Sequence, residues 1–156
     1  MNRTRSMQRT LPFLLAASLA SLLPGTSGAL TLDRLKGAQL EGIYGTYAPR
    51  GDCKREPRIT VDDSGLAYMV GGKATHGGKV EYALTYGGPE YTGISQWIFP
   101  FPVGDDDFGR VLMTFNANEK RGALQVEPDL GPGQSLSPLQ AALVNASPFA
   151  RCAKAQ

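Results

Sequence analysis

The chain has 156 residues, with 16 basic and 14 acidic side chains. Three of the basic residues and none of the acidic ones lie in the first 29 positions, which leaves 13 basic and 14 acidic residues in the remainder. This balance lacks the clear basic excess of nucleic-acid-binding proteins, so we expect no nucleic-acid partner. The length is typical of one domain with its own hydrophobic core.

The N-terminus has the organisation of a secretory signal peptide. A basic stretch precedes the apolar run LPFLLAASLASLLP, and Ser27 and Ala29 occupy the small-residue positions of a cleavage site. The run is shorter than the ~20 apolar residues of a membrane-spanning helix. We predict that residues 1–29 are a cleaved signal peptide and that no membrane span remains after cleavage. Residues 30–156 would then be one β-rich domain, periplasmic or secreted, with an uncleaved membrane anchor as the alternative.

Both cysteines fall in the part that would be exported. Cys53 lies in the charged, proline-bracketed segment APRGDCKREPR, and Cys152 lies in the C-terminal tail. In an oxidising compartment an even number of cysteines favours disulfide formation, and two cysteines allow one pairing only. We therefore predict a Cys53–Cys152 disulfide that joins the tail to a surface loop.

The exported part favours short β-strands. Its glycines and prolines, 19 and 11 in the whole chain, interrupt the sequence at short intervals. A short helical turn is predicted within residues 30–39. Seven segments have strand character: residues 40–47, 58–62, 66–70, 79–86, 94–101, 110–115 and 123–127. The predicted fold is mainly β, a single antiparallel sandwich or small barrel of about seven strands with one C-terminal helix.

Turn and capping residues refine this prediction at two places. The segment DDSG follows residues 58–62, and Asp, Ser and Gly are the residues that form tight turns, so a hairpin is expected there. Near the C-terminus, SLSPLQAALVNA predicts a helix, because Ser137 can cap it and Pro138 suits its first turn. Gln140 completes a capping box. This helix is predicted to bring the tail back toward Cys53.

The titratable residues form no recognisable catalytic set. His76 is the only histidine and lies in the glycine-rich segment KATHGGK, where we predict a solvated loop residue. An enzyme that uses His76 with distant carboxylates is the alternative. Asp105, Asp106 and Asp107 in VGDDDFG supply the oxygen ligands that calcium prefers, but they lack the spacing of an EF-hand loop. We therefore predict no catalytic residue, no cofactor and a solvated aspartate loop, with calcium binding as the alternative.

One short motif carries a resemblance. SGLAY, from Ser64 to Tyr68, resembles the S-G-x-x-Y pattern of the membrane-bound and periplasmic inhibitors of c-type lysozyme. In that family a loop with the Ser and the Tyr enters the lysozyme cleft, and the inhibitors are exported, β-rich and disulfide-bonded. The resemblance therefore implies an inhibitory loop at Ser64 and Tyr68. It covers five residues, and the tryptophan-containing stretch that usually follows closely is missing, since Trp97 lies much farther along.

These observations favour an exported, non-enzymatic interaction protein of the cell envelope, of inhibitor, immunity or accessory type. It would present rigid loops, around residues 62–76 and 87–108, to an envelope or secreted protein. Tyrosine and tryptophan are favoured at binding surfaces because they combine an apolar body with a polar tip. The candidate binding residues are Ser64, Tyr68, His76, Tyr91 and Trp97. The alternative is a β-barrel that binds a small apolar ligand in its interior.

Overall fold

The structure is a computed structural model that describes residues 30–32, 34–85, 91–100 and 110–153. The described strands are β1 (Leu30–Leu32), β2 (Gly45–Pro49), β3 (Arg58–Asp62), β4 (Gly65–Val70), β5 (Lys73–His76), β6 (Val80–Thr85), β7 (Gln96–Pro100), β8 (Val111–Phe115), β9 (Ala123–Pro128) and β10 (Phe149–Arg151). They are accompanied by the α-helix α1 (Pro138–Ala146) and by two 3₁₀ turns, Glu41–Ile43 and Ala117–Glu119.

Two of the sequence predictions lie outside the described residues. These are the signal peptide at residues 1–29 and the candidate calcium ligands Asp105, Asp106 and Asp107. Much of the predicted loop at residues 87–108 lies outside them as well. All three stay predictions. In the part of the chain that the structure describes, no helix is long and apolar enough to span a lipid bilayer.

The described strands form one antiparallel sheet in the order β1-β6-β7-β8-β9-β10-β2-β3-β4-β5. The order contains two meanders, β2 to β5 and β6 to β9, and β10 joins them by pairing with β9 on one side and β2 on the other. Nine strands, β2 to β10, make up the main sheet, and the three-residue β1 extends it beside β6.

The sheet curls into a half-barrel, and the chain connection between β5 and β6 shows why. These two strands are consecutive in the chain but lie at or near opposite edges of the sheet. Only residues 77–79 connect them, and such a link spans at most about 14 Å. The two edges must therefore approach each other, and a Cβ added at Gly65 in β4 would lie 3.9 Å from Cγ2 of Val80 in β6.

The predicted fold class is confirmed in its main features and wrong in its detail. The chain is mainly β and antiparallel with one C-terminal helix. One sheet curled into a half-barrel takes the place of the predicted sandwich or small barrel, and the main sheet has nine strands, not about seven. The short strands β5 and β10 account for the difference. The helical turn expected within residues 30–39 is wrong, since Leu30–Leu32 is a strand. The strand expected over residues 40–47 begins only at Gly45, after a 3₁₀ turn.

Aromatic side chains fill the interior of the half-barrel. The ring centroids of Tyr47 and Phe115 are 5.2 Å apart, and those of Phe99 and Phe115 are 5.1 Å apart, both with edge-to-face geometry. Each such pair contributes about 0.5–1.5 kcal/mol beyond its burial of apolar area. At the outer end of this row Tyr82 lies 5.8 Å from Phe99 and 5.7 Å from the half-buried Trp97. The interior is therefore a packed core.

The C-terminal helix begins as its sequence predicts. The Ser137 hydroxyl accepts a hydrogen bond from the Gln140 amide at 3.3 Å, and the Gln140 side chain accepts one from the Ser137 amide at 2.9 Å. Leu143 faces the core and is fully buried. At the other end of the helix the Ser147 hydroxyl accepts a hydrogen bond from the Val126 amide of β9 at 2.9 Å, which directs the following residues into β10.

The predicted disulfide between Cys53 and Cys152 is confirmed, with a Cα–Cα distance of 5.9 Å. The strand β10 positions Cys152, because Arg151 is in register with Tyr47 of β2 and the Cys152 amide donates to the Thr46 carbonyl at 2.8 Å. The helix supplies only the connection to this strand. The tail is therefore held twice, by sheet hydrogen bonds and by a covalent bond.

Candidate functional site

The structure separates Ser64 from Tyr68, the two residues of the lysozyme-inhibitor pattern. Ser64 lies in the exposed two-residue turn of the β3–β4 hairpin, which confirms the predicted turn. Tyr68 lies in the core of the half-barrel with 2% of its surface exposed, and its hydroxyl group donates to the Met113 sulfur at 4.0 Å. Burial raises the pKa of Tyr68 far above its ordinary value. The two side chains therefore do not share an exposed surface.

The other predicted binding residues also lie apart. His76 is exposed, but it ends the edge strand β5 instead of lying in a loop. Trp97 is half-buried against Tyr82. Tyr91 is 42% exposed, and its hydroxyl lies 3.4 Å from that of Ser95. The expected loop over residues 62–76 is instead two strands, β4 and β5, which tight turns join to each other and to the end of β3. It therefore offers a sheet edge and no long loop.

A groove of about 830 Å³ lies where the first 3₁₀ turn, β2, β3 and the end of β10 meet. We call it the Arg151 groove, and its polar side chains are Glu41, Tyr44, Thr46, Thr60, Asp62 and Arg151. The antiparallel register aligns Thr46 with Thr60, and their hydroxyl oxygens are 3.2 Å apart. The groove thus offers hydroxyl groups between a cation and carboxylates.

Arg151 is the cation of this groove, and its conformation depends on a glycine. Its guanidinium Nη1 donates to the carbonyl oxygens of Gly42 at 3.1 Å and Tyr44 at 3.3 Å. The side chain crosses Gly45, where an added Cβ would lie 2.8 Å from Arg151 Cδ. Gly45 also has a φ of +144°, which residues with a Cβ rarely adopt. A glycine is therefore required for Arg151 to lie in this position.

The 3₁₀ turn beside Arg151 is fixed from the core as well. The Tyr47 hydroxyl donates to the Ile43 carbonyl at 2.7 Å. Burial raises the pKa of Tyr47 to about 12, and the positive charge of Arg151 acts in the opposite direction. Tyr47 therefore remains a neutral donor throughout the physiological range. Together with Arg151 it holds the carbonyl groups of Gly42, Ile43 and Tyr44 in place.

Asp62 stays ionised near neutral pH, and Tyr44 stays protonated. The Ser64 hydroxyl and amide both donate to Asp62, and these hydrogen bonds hold the pKa of Asp62 below its ordinary value, with help from nearby His76. The Tyr44 hydroxyl oxygen is buried and makes no hydrogen bond of ordinary geometry with the described residues. Burial, and after it the neighbouring Asp63 carboxylate, raise the pKa of Tyr44 to about 12.

A strained turn adjoins the groove between β8 and β9. We give the name strained turn to residues 116–122, in which Asn116, Asn118 and Glu119 have φ values of 55°, 53° and 55°. Non-glycine residues in this left-handed region cost free energy and persist only where surrounding contacts impose them. Asn116 supplies one such contact, because its side-chain amide donates to the Ser95 carbonyl at 3.0 Å. Its oxygen accepts from the Gly122 amide at 3.1 Å.

A second contact of the strained turn involves Glu119, whose carboxylate accepts a hydrogen bond from the Thr92 amide. Hydrogen bonds therefore join the turn and residues 91–95 into one continuous surface that includes Tyr91. Sequence reasoning placed Tyr91 on a binding surface but missed the turn and the groove. The composition NANEKRG signals a turn, but it does not reveal three left-handed non-glycine residues.

The chemistry of this end of the half-barrel is suited to binding charged or polar groups. Cation, hydroxyl and carboxylate groups line one groove, and a rigid turn lies beside it. Within the described ranges, no group of three or more His, Cys, Asp or Glu side chains could hold a metal ion. Comparison of the chain with protein-family models, with curated protein sequences and with solved structures finds no match.

Proposed function

We propose that this chain is an exported, non-enzymatic interaction protein of the cell envelope that binds a protein partner at the Arg151 groove and the strained turn. The observation that carries the proposal is the groove itself, about 830 Å³ in volume, in which Gly45 makes room for the Arg151 side chain. Export is supported by the signal-like N-terminus and by the Cys53–Cys152 disulfide.

Rigidity supports a binding role for this region. The disulfide and β10 fix Arg151 from two sides, since Cys152 is the next residue in the chain. The strained turn is fixed by its hydrogen bonds to residues 92 and 95. A surface that is already ordered loses less conformational entropy when it binds, and this loss is a main cost of association.

The other candidate functions receive less support from the geometry. A small apolar ligand inside the half-barrel would need interior space, but rings such as Phe99 and Phe115 fill the described core. A lysozyme inhibitor that acts through the SGLAY loop would need Tyr68 at the surface, and this side chain is buried. An inhibitor or immunity role through the Arg151 groove remains part of the proposal.

Site-specific photo-crosslinking in the cell envelope tests the proposed function. A benzoylphenylalanine at Thr60, whose side chain lines the groove, is expected to give a crosslinked adduct of defined mass. The same residue at Glu127, an exposed position on β9, is the control and is expected to give none. If the Thr60 position gives no adduct, or the same adducts as the Glu127 position, the proposed function is wrong.

A further inference from the structure

Three exposed cationic residues lie on two segments that meet, the strained turn and the end of β10. Lys120 and Arg121 are exposed in the turn, and the next residue, Gly122, accepts a hydrogen bond from the Arg151 amide at 2.7 Å. A Cβ added at Gly122 would lie 3.2 Å from Cβ of Arg151, so the two segments are in direct contact. We call Lys120, Arg121 and Arg151 the basic ridge.

No residue of the basic ridge forms an ion pair with the described residues. The ion pair that these residues do show, between Arg58 and Glu56, lies outside the ridge. The two hydrogen bonds of Arg151 go to uncharged carbonyl groups, so its positive charge is retained. An anionic group that approaches this surface is therefore attracted by the ridge cations.

The backbone beneath the ridge is held in place by a neighbouring segment. Glu119, which directly precedes Lys120, has a φ of 55° and is held by its carboxylate contact to the Thr92 amide. Tyr91, one residue before Thr92, is 42% exposed. Tyrosine and arginine are the residue types, with tryptophan, that most often dominate the binding energy of protein interfaces.

We propose that the basic ridge binds an acidic segment of a protein partner, with Arg151 as its anchoring cation. This inference rests on the proposed function and specifies the partner's chemistry. Carboxylates form charge-assisted hydrogen bonds with guanidinium groups, and these are shorter and stronger than bonds between neutral groups. The acidic segment lies along Lys120 and Arg121 and enters the Arg151 groove, where the paired hydroxyls of Thr46 and Thr60 supply one further donor.

An acidic peptide segment fits this surface better than a nucleic acid does. Glu41 and Asp62 line the same groove as Arg151, so the basic region is short and ends at carboxylates. Nucleic-acid affinity depends on neutralising a long row of phosphates, which calls for an extended basic surface. The carboxylates of such a partner segment would contact the basic ridge, and polar or basic residues that follow them would lie beside Glu41 and Asp62.

Fluorescence anisotropy with a labelled peptide of ten glutamates tests the inference on the oxidised protein. The unmodified protein is expected to bind this probe at low ionic strength and to release it as salt is added. In the double variant Lys120→Gln/Arg121→Gln the affinity should fall by about tenfold or more. The double variant Lys54→Gln/Arg55→Gln removes the same charge from exposed positions in the disulfide loop and should bind like the unmodified protein.

Arg151→Lys gives a second, conservative test, since it keeps the positive charge but loses the planar guanidinium group. It should also weaken binding of the glutamate peptide, by roughly threefold to tenfold. Circular dichroism verifies that every variant is folded. The inference is overturned if the unmodified protein does not bind the peptide or if both double variants lose the same affinity. The inference is also overturned if a strand of ten thymidine nucleotides binds as tightly as the peptide and loses the same affinity in the ridge variants.

The crosslinking experiment distinguishes failure of this inference from failure of the proposed function. If the Thr60 adduct forms in the unmodified protein and persists at equal yield in Lys120→Gln/Arg121→Gln, the interaction is real but the ridge does not carry it. If no adduct forms in either protein, the proposed function fails. The peptide titration then decides, separately, whether the ridge binds carboxylates.

Discussion

Gly45→Ala tests the contact on which the Arg151 groove depends. At a φ of +144° the new Cβ would strain the backbone, which costs about 1–3 kcal/mol. The same Cβ would lie 2.8 Å from Arg151 Cδ and would displace this side chain from the carbonyl groups of Gly42 and Tyr44. Loss of these exposed hydrogen bonds adds about 1 kcal/mol. We therefore expect the free energy of unfolding to fall by about 2–4 kcal/mol.

Urea unfolding followed by the fluorescence of Trp97, the single tryptophan, measures this change. Gly42→Ala is the matched control, because no heavy atom lies within 4 Å of its added Cβ and its φ is not in the left-handed region. Its stability should stay within about 0.5 kcal/mol of the unmodified protein, as for most surface substitutions. If Gly45→Ala is as stable as Gly42→Ala, the conclusion that position 45 requires a glycine is refuted.

The variant Gly45→Ala/Arg151→Ala separates the two contributions. Arg151→Ala alone removes the crowded side chain together with its hydrogen bonds. If crowding matters, Gly45→Ala should cost about 1 kcal/mol less in the Arg151→Ala background than in the unmodified protein. The remaining cost reports the backbone strain at Gly45. Equal costs in the two backgrounds would show that Arg151 does not depend on this glycine.

Three further measurements address other parts of the molecule. The double variant Cys53→Ser/Cys152→Ser should keep its circular dichroism spectrum but lose about 4–5 kcal/mol of stability in urea, because the bond closes a loop with a sequence separation of 99. Unchanged stability would contradict this reasoning. Asn118 has a φ of 53°, so Asn118→Ala should lower the free energy of unfolding by about 1 kcal/mol, whereas Asn118→Gly should not lower it. Equal stabilities of the two variants would show that the turn is unstrained. The pKa of Asp62 is lower in the folded protein than in the unfolded chain, so ionised Asp62 stabilises the fold. This stabilisation is complete above the pKa of the unfolded chain and is lost as the pH falls through the pKa of the folded protein. Ser64→Ala should therefore reduce the loss of thermal stability below about pH 4, and an unchanged pH profile would contradict this.

Local signals in the sequence predict the elements that local interactions determine. The hairpin at DDSG forms because Asp62 bonds to its own neighbour Ser64 in a two-residue turn. The helix begins at Ser137 because its capping box with Gln140 needs only residues three positions apart. Both features are encoded within a few residues, so one sequence is enough to find them.

The strands β5 and β10 could not be predicted in this way. β10 has three residues, Phe149–Arg151, which is too short for a two-residue alternation to be recognised. Its extended conformation depends on pairing with β9 and β2, which come from distant parts of the chain. β5 is a short edge strand with exposed side chains, and glycine-rich segments flank it, so its sequence resembles a loop.

The candidate site was missed for the same physical reason, and its position follows from β10. Its groups come from a 3₁₀ turn near residue 42, from the strained turn near residue 120 and from Arg151, which local sequence patterns cannot relate. β10 brings them together because it lies between the two meanders, so Arg151 lies beside Tyr47 of β2 on one side and beside Gly122, just before β9, on the other. Gly45 and Gly122 then leave room for the Arg151 side chain on either side. The disulfide at the next residue keeps Arg151 in this position, so the covalent bond that stabilises the fold also fixes the proposed anchoring cation.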